Sequence, residues 1–120
     1  MNRIPSDLDL SCAIGQCTTQ IRVGEFDIQF SLGSANFNIQ SAIELRREGV
    51  TIGRWKEGHW PDEAFGELLN ELVVRYSIPN DRELILSFQN GIQMHLIDDS
   101  DQFETMSISI EGDAKGTWYI

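Results

Sequence analysis

The side chains that most often do chemistry are few in this chain, and their spacing does not suit it. There are two histidines and two cysteines among 120 residues. His59 lies in the loop-like run Gly58-His59-Trp60-Pro61, and His95 falls at an outward position of an alternating strand. Neither has a second ligand at metal spacing. A His/Asp/Glu group assembled from distant positions stays open, because such partners need not be close in sequence. Four residues separate Cys12 from Cys17, which fits neither a redox pair nor a zinc pair. They read as two small apolar side chains near the first strand. Asp98-Asp99-Ser100-Asp101 has the acid density of a calcium loop but lacks the glycine and the closing glutamate of the EF-hand pattern. These spacings predict no catalytic residue, no metal and no cofactor.

Charge is more informative. Nineteen acidic and nine basic residues give a net charge of −10. Residues 83–114 hold Glu83, Asp98, Asp99, Asp101, Glu104, Glu111 and Asp113 with no lysine or arginine, so this stretch supplies −7 of that total. Eight of the nine cations lie at or before Arg82, with Arg46, Arg47, Arg54 and Lys56 close together. A face of one sign steers an oppositely charged partner and repels a phosphate backbone. A basic protein partner is therefore expected, and nucleic acid is not. Acid also keeps a small protein soluble, which is the plainer reading of the same total. The predicted contact face is Asp98, Asp99, Asp101 and Glu104, with Glu111 and Asp113 beside them. It would sit at the tip of a hairpin between a strand ending at Ile97 and one beginning near Phe103. A second candidate is the pair Trp55 and Trp60, flanking Lys56-Glu57-Gly58-His59. Aromatic side chains in loops anchor interfaces, and they also close the open end of a sheet.

The elements that must position these residues are mostly strands. The hydrophobic fraction of 41% and charged fraction of 23% suit one folded domain. Alternation with period two leads from Ile21 and Val23 through Gly24 into Phe26, Ile28, Phe30 and Leu32, resumes at Phe37 and Ile39, and returns in Leu84, Leu86 and Phe88, in Ile92, Met94 and Leu96, and in Met106, Ile108 and Ile110. Asn90-Gly91 predicts a type I′ hairpin turn. Between the blocks, Phe65, Leu68, Leu69, Leu72, Val73 and Tyr76 recur at spacings of three and four after Pro61. That spacing predicts an amphipathic helix over residues 62–77. The expected class is α+β: a mainly antiparallel sheet from two hairpin blocks with that helix packed on it. Ile28–Leu32 aligns with Leu84–Phe88, and Phe37-Asn38-Ile39 with Met94-His95-Leu96, at a period of about 56. Two amphipathic hairpins align about this well by chance, so duplication and coincidence both stand. No apolar run reaches the roughly 18–20 residues of a membrane span. Asp7 and Asp9 fall where a signal peptide would be apolar, so a cytoplasmic protein is expected.

The pattern as a whole, two strand pairs with the helical stretch between them, then Glu104-Thr105-Met106-Ser107-Ile108 and Trp118-Tyr119, resembles small bacterial domains found beside polymorphic toxins. Among these are immunity proteins of contact-dependent growth inhibition systems. The resemblance implies a cytoplasmic inhibitor that binds a cognate toxin domain, often a basic nuclease, and occludes its active site. A regulatory domain that binds some other basic protein is the alternative. A small-ligand carrier or enzyme would need a polar pocket, which the spacing does not locate.

Overall fold

Strands form where apolar and polar residues alternate. The computed structural model, which describes residues 3–112 and 116–120, pairs them into two antiparallel sheets of five. β1 (Arg22–Val23), β2 (Ile28–Leu32) and β3 (Ala35–Ile39) form a meander, and β4 (Ile43–Arg47) and β5 (Val50–Trp55) a hairpin. The design then recurs. β6 (Val73–Asn80), β7 (Glu83–Phe88) and β8 (Ile92–Ile97) form a second meander, and β9 (Met106–Ile110) and β10 (Thr117–Tyr119) a second hairpin.

The two hairpins change places. The first sheet has the order β1-β2-β3-β9-β10 and the second β5-β4-β8-β7-β6. Each half of the chain thus supplies three strands to one sheet and a two-strand flap to the other. Register repeats along with order: Ile39 faces Met106 and Phe37 faces Ile108, just as Leu96 faces Ile43 and Met94 faces Leu45. At the two crossings, the Gln40 N–H donates to the Thr105 carbonyl at 2.8 Å and the Ile97 N–H to the Ala42 carbonyl at 3.1 Å. Strands that align loosely in sequence therefore hold equivalent places in the two sheets.

Both sheets turn their apolar residues into one core. Phe30 and Phe37 face each other across β2 and β3 and stack with ring centroids 4.8 Å apart. Ile28, Phe30, Leu32, Leu68, Leu84, Leu86, Ile92, Met94, Ile108 and Ile110 are buried as the alternation requires. An irregular N-terminal segment adds Ile4, Leu8, Leu10 and Ala13 to the core. Among the described residues no helix is long and apolar enough to cross a membrane.

The helix expected over residues 62–77 does not form, so the α+β expectation gives way to two β-sheets. Glu63–Leu68 is a single 3₁₀ segment, and Val73–Asn80 is β6. A 3₁₀ turn brings residues i and i+3 onto one side, which is how Phe65 and Leu68 are both buried. The helical stripe breaks just after them. Asn70 takes a left-handed φ of 66°, which no helix interior accommodates. Gly66 and the β-branched pair Val73-Val74 weaken it further. Two register shifts in the β6–β7 pairing hide the strand's own period of two. Gly53 on β5 admits the 3₁₀ segment, because a Cβ there would lie 3.1 Å from that of Ala64. Leu72, expected inside, is 39% exposed, whereas Leu68 is fully buried. Leu68→Ala should therefore cost about 2–5 kcal/mol and Leu72→Ala well under half of that, read from urea midpoints at constant slope.

The turns also differ from expectation. Positive φ falls on Gly91 but not on Asn90, and Gly91 N–H donates to the Phe88 carbonyl at 3.0 Å. This is a three-residue connection with glycine in the left-handed position, not a type I′ turn. Two consecutive positive φ values occur instead between β4 and β5, at Glu48 (53°) and Gly49 (78°).

Candidate partner-binding face

Asp98 to Thr105 is the longer of the two crossings between sheets, not a hairpin tip. β8 already has β4 and β7 on its two edges, so the chain beyond Ile97 must leave the sheet and joins β3 as β9. The acids along this crossing meet different fates. Asp98 is 1% exposed; its carboxylate accepts from Arg3 Nη1 at 2.9 Å and from the Thr105 hydroxyl at 3.1 Å. Asp101 is exposed and lies between two guanidiniums, Arg82 and Arg3. The Arg82 hydrogen bond first, and then its charge, hold the Asp101 carboxyl below the usual carboxylate range. Asp98 and Asp101 thus form an ion network with Arg3 and Arg82 that ties the N-terminal segment and the β6–β7 turn to the crossing. Their charge is answered within the chain. Asp99 and Glu104 remain exposed, and an Asp99 carboxylate oxygen accepts from the Ala42 N–H at 3.3 Å.

Glu111 is exposed and stands apart from the other acids. Its N–H donates to Ser34 at the β2–β3 turn, about four residues and ~13 Å along β3 and β9 from the crossings. Asp113 lies outside the described residues.

The two tryptophans of the second candidate separate. Trp55 faces inward from β5 opposite Ile43 and is 2% exposed. Its Nε1–H has no acceptor among the described residues. Trp60 is 79% exposed. Both line a surface cavity of about 400 Å³ with Ala42, Glu44, Arg54, Lys56, His59, Asp62 and Ile97. Its rim reaches Asp99 through Ala42. The loop carrying Trp60 is held at both ends. The Asp62 carboxylate accepts from the Arg54 N–H at 2.9 Å, and the Gly58 N–H donates to the Glu25 carbonyl at 2.9 Å. That second bond joins it to the β1–β2 turn, where Phe26 is 57% exposed. Sequence reasoning missed this turn: Phe26 continues the alternation of β2 on paper, but the Gly24 N–H bond to the Asp27 carbonyl closes a turn ahead of β2. Two large aromatic side chains thus lie in solvent on loops joined to one another, which also carry exposed Glu25, Lys56 and Glu57; Asp27 is half-buried and accepts from Gln29 Nε2 at 2.8 Å.

Polar groups also gather on the outer face of the second sheet. His95 keeps its outward parity, yet it is 4% exposed because neighbouring side chains cover the ring. Its Nδ1 lies 2.8 Å from Glu83, and its Nε2 has no partner among the described residues. Beside it, Glu44 accepts from Thr51 at 2.6 Å and from Arg46 at 2.8 Å. Thr51 first and Arg46 next hold the Glu44 carboxyl below its ordinary 4.5. A carboxyl depressed by folding stabilises the fold above its unfolded value, and that contribution is lost as pH falls through the folded one. Glu44→Gln should therefore flatten the acid limb of stability below pH 4.5, in urea titrations from pH 7 to 3.

Among the described residues no three His, Cys, Asp or Glu side chains converge as a metal-binding group would. Cys12 and Cys17 are free and half-buried. Comparison with protein-family models, with curated proteins and with solved structures finds no match to this chain.

Proposed function

We propose that this chain is an inhibitory binding protein of the toxin–immunity kind, which docks on a basic partner domain through the Phe26–Trp60 face. The observation that carries the reading is the exposure of Phe26 and Trp60 on two loops joined by a backbone hydrogen bond, with Glu25 and Glu57 exposed on the same loops. Exposed aromatics of this size are the usual anchors of interfaces. Lysine and arginine are attracted to their ring faces and to the exposed carboxylates of Glu25, Glu57 and Asp99. The net charge of −10 adds long-range steering toward a cationic cleft.

On this reading the acidic crossing divides its labour. Asp98 and Asp101 hold the fold through Arg3 and Arg82, while Asp99 and Glu104 remain available to a partner. The resemblance to immunity proteins supplies the kind of partner: a nuclease must bind phosphate, so its cleft is positive, and an acidic, aromatic-faced protein competes for it. A general regulatory domain for basic proteins would bind with the same chemistry but protect nothing.

Co-expression separates the two. The chain should restore growth to cells expressing the toxin domain encoded beside its gene. The purified pair should associate more slowly as salt rises from 50 to 500 mM. Growth not restored, with no complex formed at low salt, contradicts the immunity reading.

A further inference from the structure

We infer that two copies of this chain pair about a two-fold axis through an apolar patch formed by Ile14, Leu69, Leu72 and Val74. Each of these side chains is between 37% and 45% exposed. Two backbone segments bring them together. The Asn70 N–H donates to the Thr18 carbonyl at 2.8 Å, the Val73 N–H to the Gln16 carbonyl at 2.9 Å, and the Gly15 N–H to the Val73 carbonyl at 2.7 Å. Residues 14–18 are thereby laid against residues 69–74, where β6 begins. Val73 is buried, and its neighbours Leu72 and Val74 are exposed. The Leu72 carbonyl accepts from the Gln89 N–H at the β7–β8 turn. That turn is separated by the length of β8, ~17 Å, from Ile97, which lines the cavity beside Trp60. The patch therefore lies away from the proposed docking face and does not rest on that reading.

Charge says what covers it. Residues 10–21 and 84–97 contain no Asp, Glu, Lys or Arg, and residues 68–74 contain only Glu71. The exposed polar residues among the aliphatic ones are Gln16, Asn70 and Gln89, all uncharged. In a chain of net charge −10, such a surface lets a second copy approach with little repulsion. It offers a basic partner no carboxylate cluster. Homodimer interfaces are likewise more apolar than other contact surfaces.

The charges at the border suit a two-fold axis. Glu71 and Arg75 stand equally far on either side of Val73, and neither forms an ion pair among the described residues. A two-fold contact sets the same patch against itself. With the axis beside Val73 and the two segments antiparallel, Glu71 of each copy meets Arg75 of the other. Glu67, the preceding acid in the chain, is already paired with Arg47 at 3.3 Å. The contact is one of side chains and not of added strands. Val73 has both backbone groups bonded to residues 15 and 16, and Pro79 and two register shifts interrupt the rest of the β6 edge.

Sedimentation velocity of the whole chain tests this. Between about 5 and 500 µM the average mass should rise from that of one chain toward that of two. Leu72→Asp and Ile14→Gln, one in each segment, should each weaken the dimer about tenfold or more. Both are exposed positions, so the circular dichroism spectrum should stay native. Arg75→Glu should also weaken it about tenfold, and adding Glu71→Lys should restore it to within about threefold of the native chain. Trp60→Ala should leave the dimer unchanged, which keeps its failure separate from that of the docking reading. A chain still monomeric at about 500 µM, whether or not another protein uses the patch, would overturn the inference. So would a dimer indifferent to both aliphatic substitutions, or a charge reversal that the second reversal does not rescue.

Discussion

A chain cut after Gly58 should keep its fold only while both pieces are present. Residues 1–58 contain β1 to β5, and residues 59–120 contain β6 to β10. In each piece the third strand of the meander has lost the hairpin that pairs with it, because that hairpin belongs to the other piece. Each piece would expose the open edges of β3 and β4, or of β8 and β9, together with apolar faces such as Phe30 and Phe37, or Leu86 and Met94. Open edges and uncovered faces do not make a stable sheet in water. Either piece alone should show no cooperative urea transition as a monomer, and the equimolar mixture should regain the native circular dichroism spectrum. A folded dimer of one piece would follow the same rule, since a second copy's flap fills the missing place. A folded monomer of either piece would show the exchange of hairpins to be unimportant.

Asp98→Ala should lower stability by about 3 kcal/mol, whereas Asp101→Asn should leave it nearly unchanged. Both acids touch Arg3, and the difference lies in their surroundings. Asp98 is 1% exposed and ties together Arg3 and Thr105, from two distant parts of the chain. Its loss leaves Arg3, only partly in water, without its buried partner, and deprives the Thr105 hydroxyl of one acceptor. Asp101 stands in solvent, where water and salt screen its two arginines. Paired urea titrations at neutral pH decide it. Equal costs for the two substitutions would contradict the division of the acidic crossing into a buried tie and a surface pair.

Much of the strand pattern was legible because a one-sided sheet imposes period two on any sequence that forms it. Leu84, Leu86, Phe88, Ile92, Met94 and Leu96 announce β7 and β8 directly. The equivalence of the halves was visible at Ile28–Leu32 and Leu84–Phe88, but the exchange of hairpins was not, since alternation does not record which neighbour a strand takes. The error at residues 62–77 has a physical source. Spacings of three and four also arise when a 3₁₀ turn runs into an edge strand with register shifts, and Asn70 at a left-handed φ is the point of change. The site was legible in part. Trp60 is legible as a loop residue from Gly58 and Pro61 around it, while Phe26 agrees with the alternation of β2 and so gives no sign of its turn. Asp98 and Asp101 look like surface acid in the sequence because their cations, Arg3 and Arg82, lie far from them along the chain.

Affinity for the proposed partner, a toxin domain encoded beside the gene, tests the central claim most directly, measured by calorimetry for the native chain and three variants. Trp60→Ala and Phe26→Ala should each weaken binding by at least about tenfold, as interface anchors do. Glu111→Lys, at the far end of the first sheet, should leave it within about twofold. Native affinity retained by both aromatic variants, with binding lost in Glu111→Lys, would place the contact face at the opposite end of the molecule.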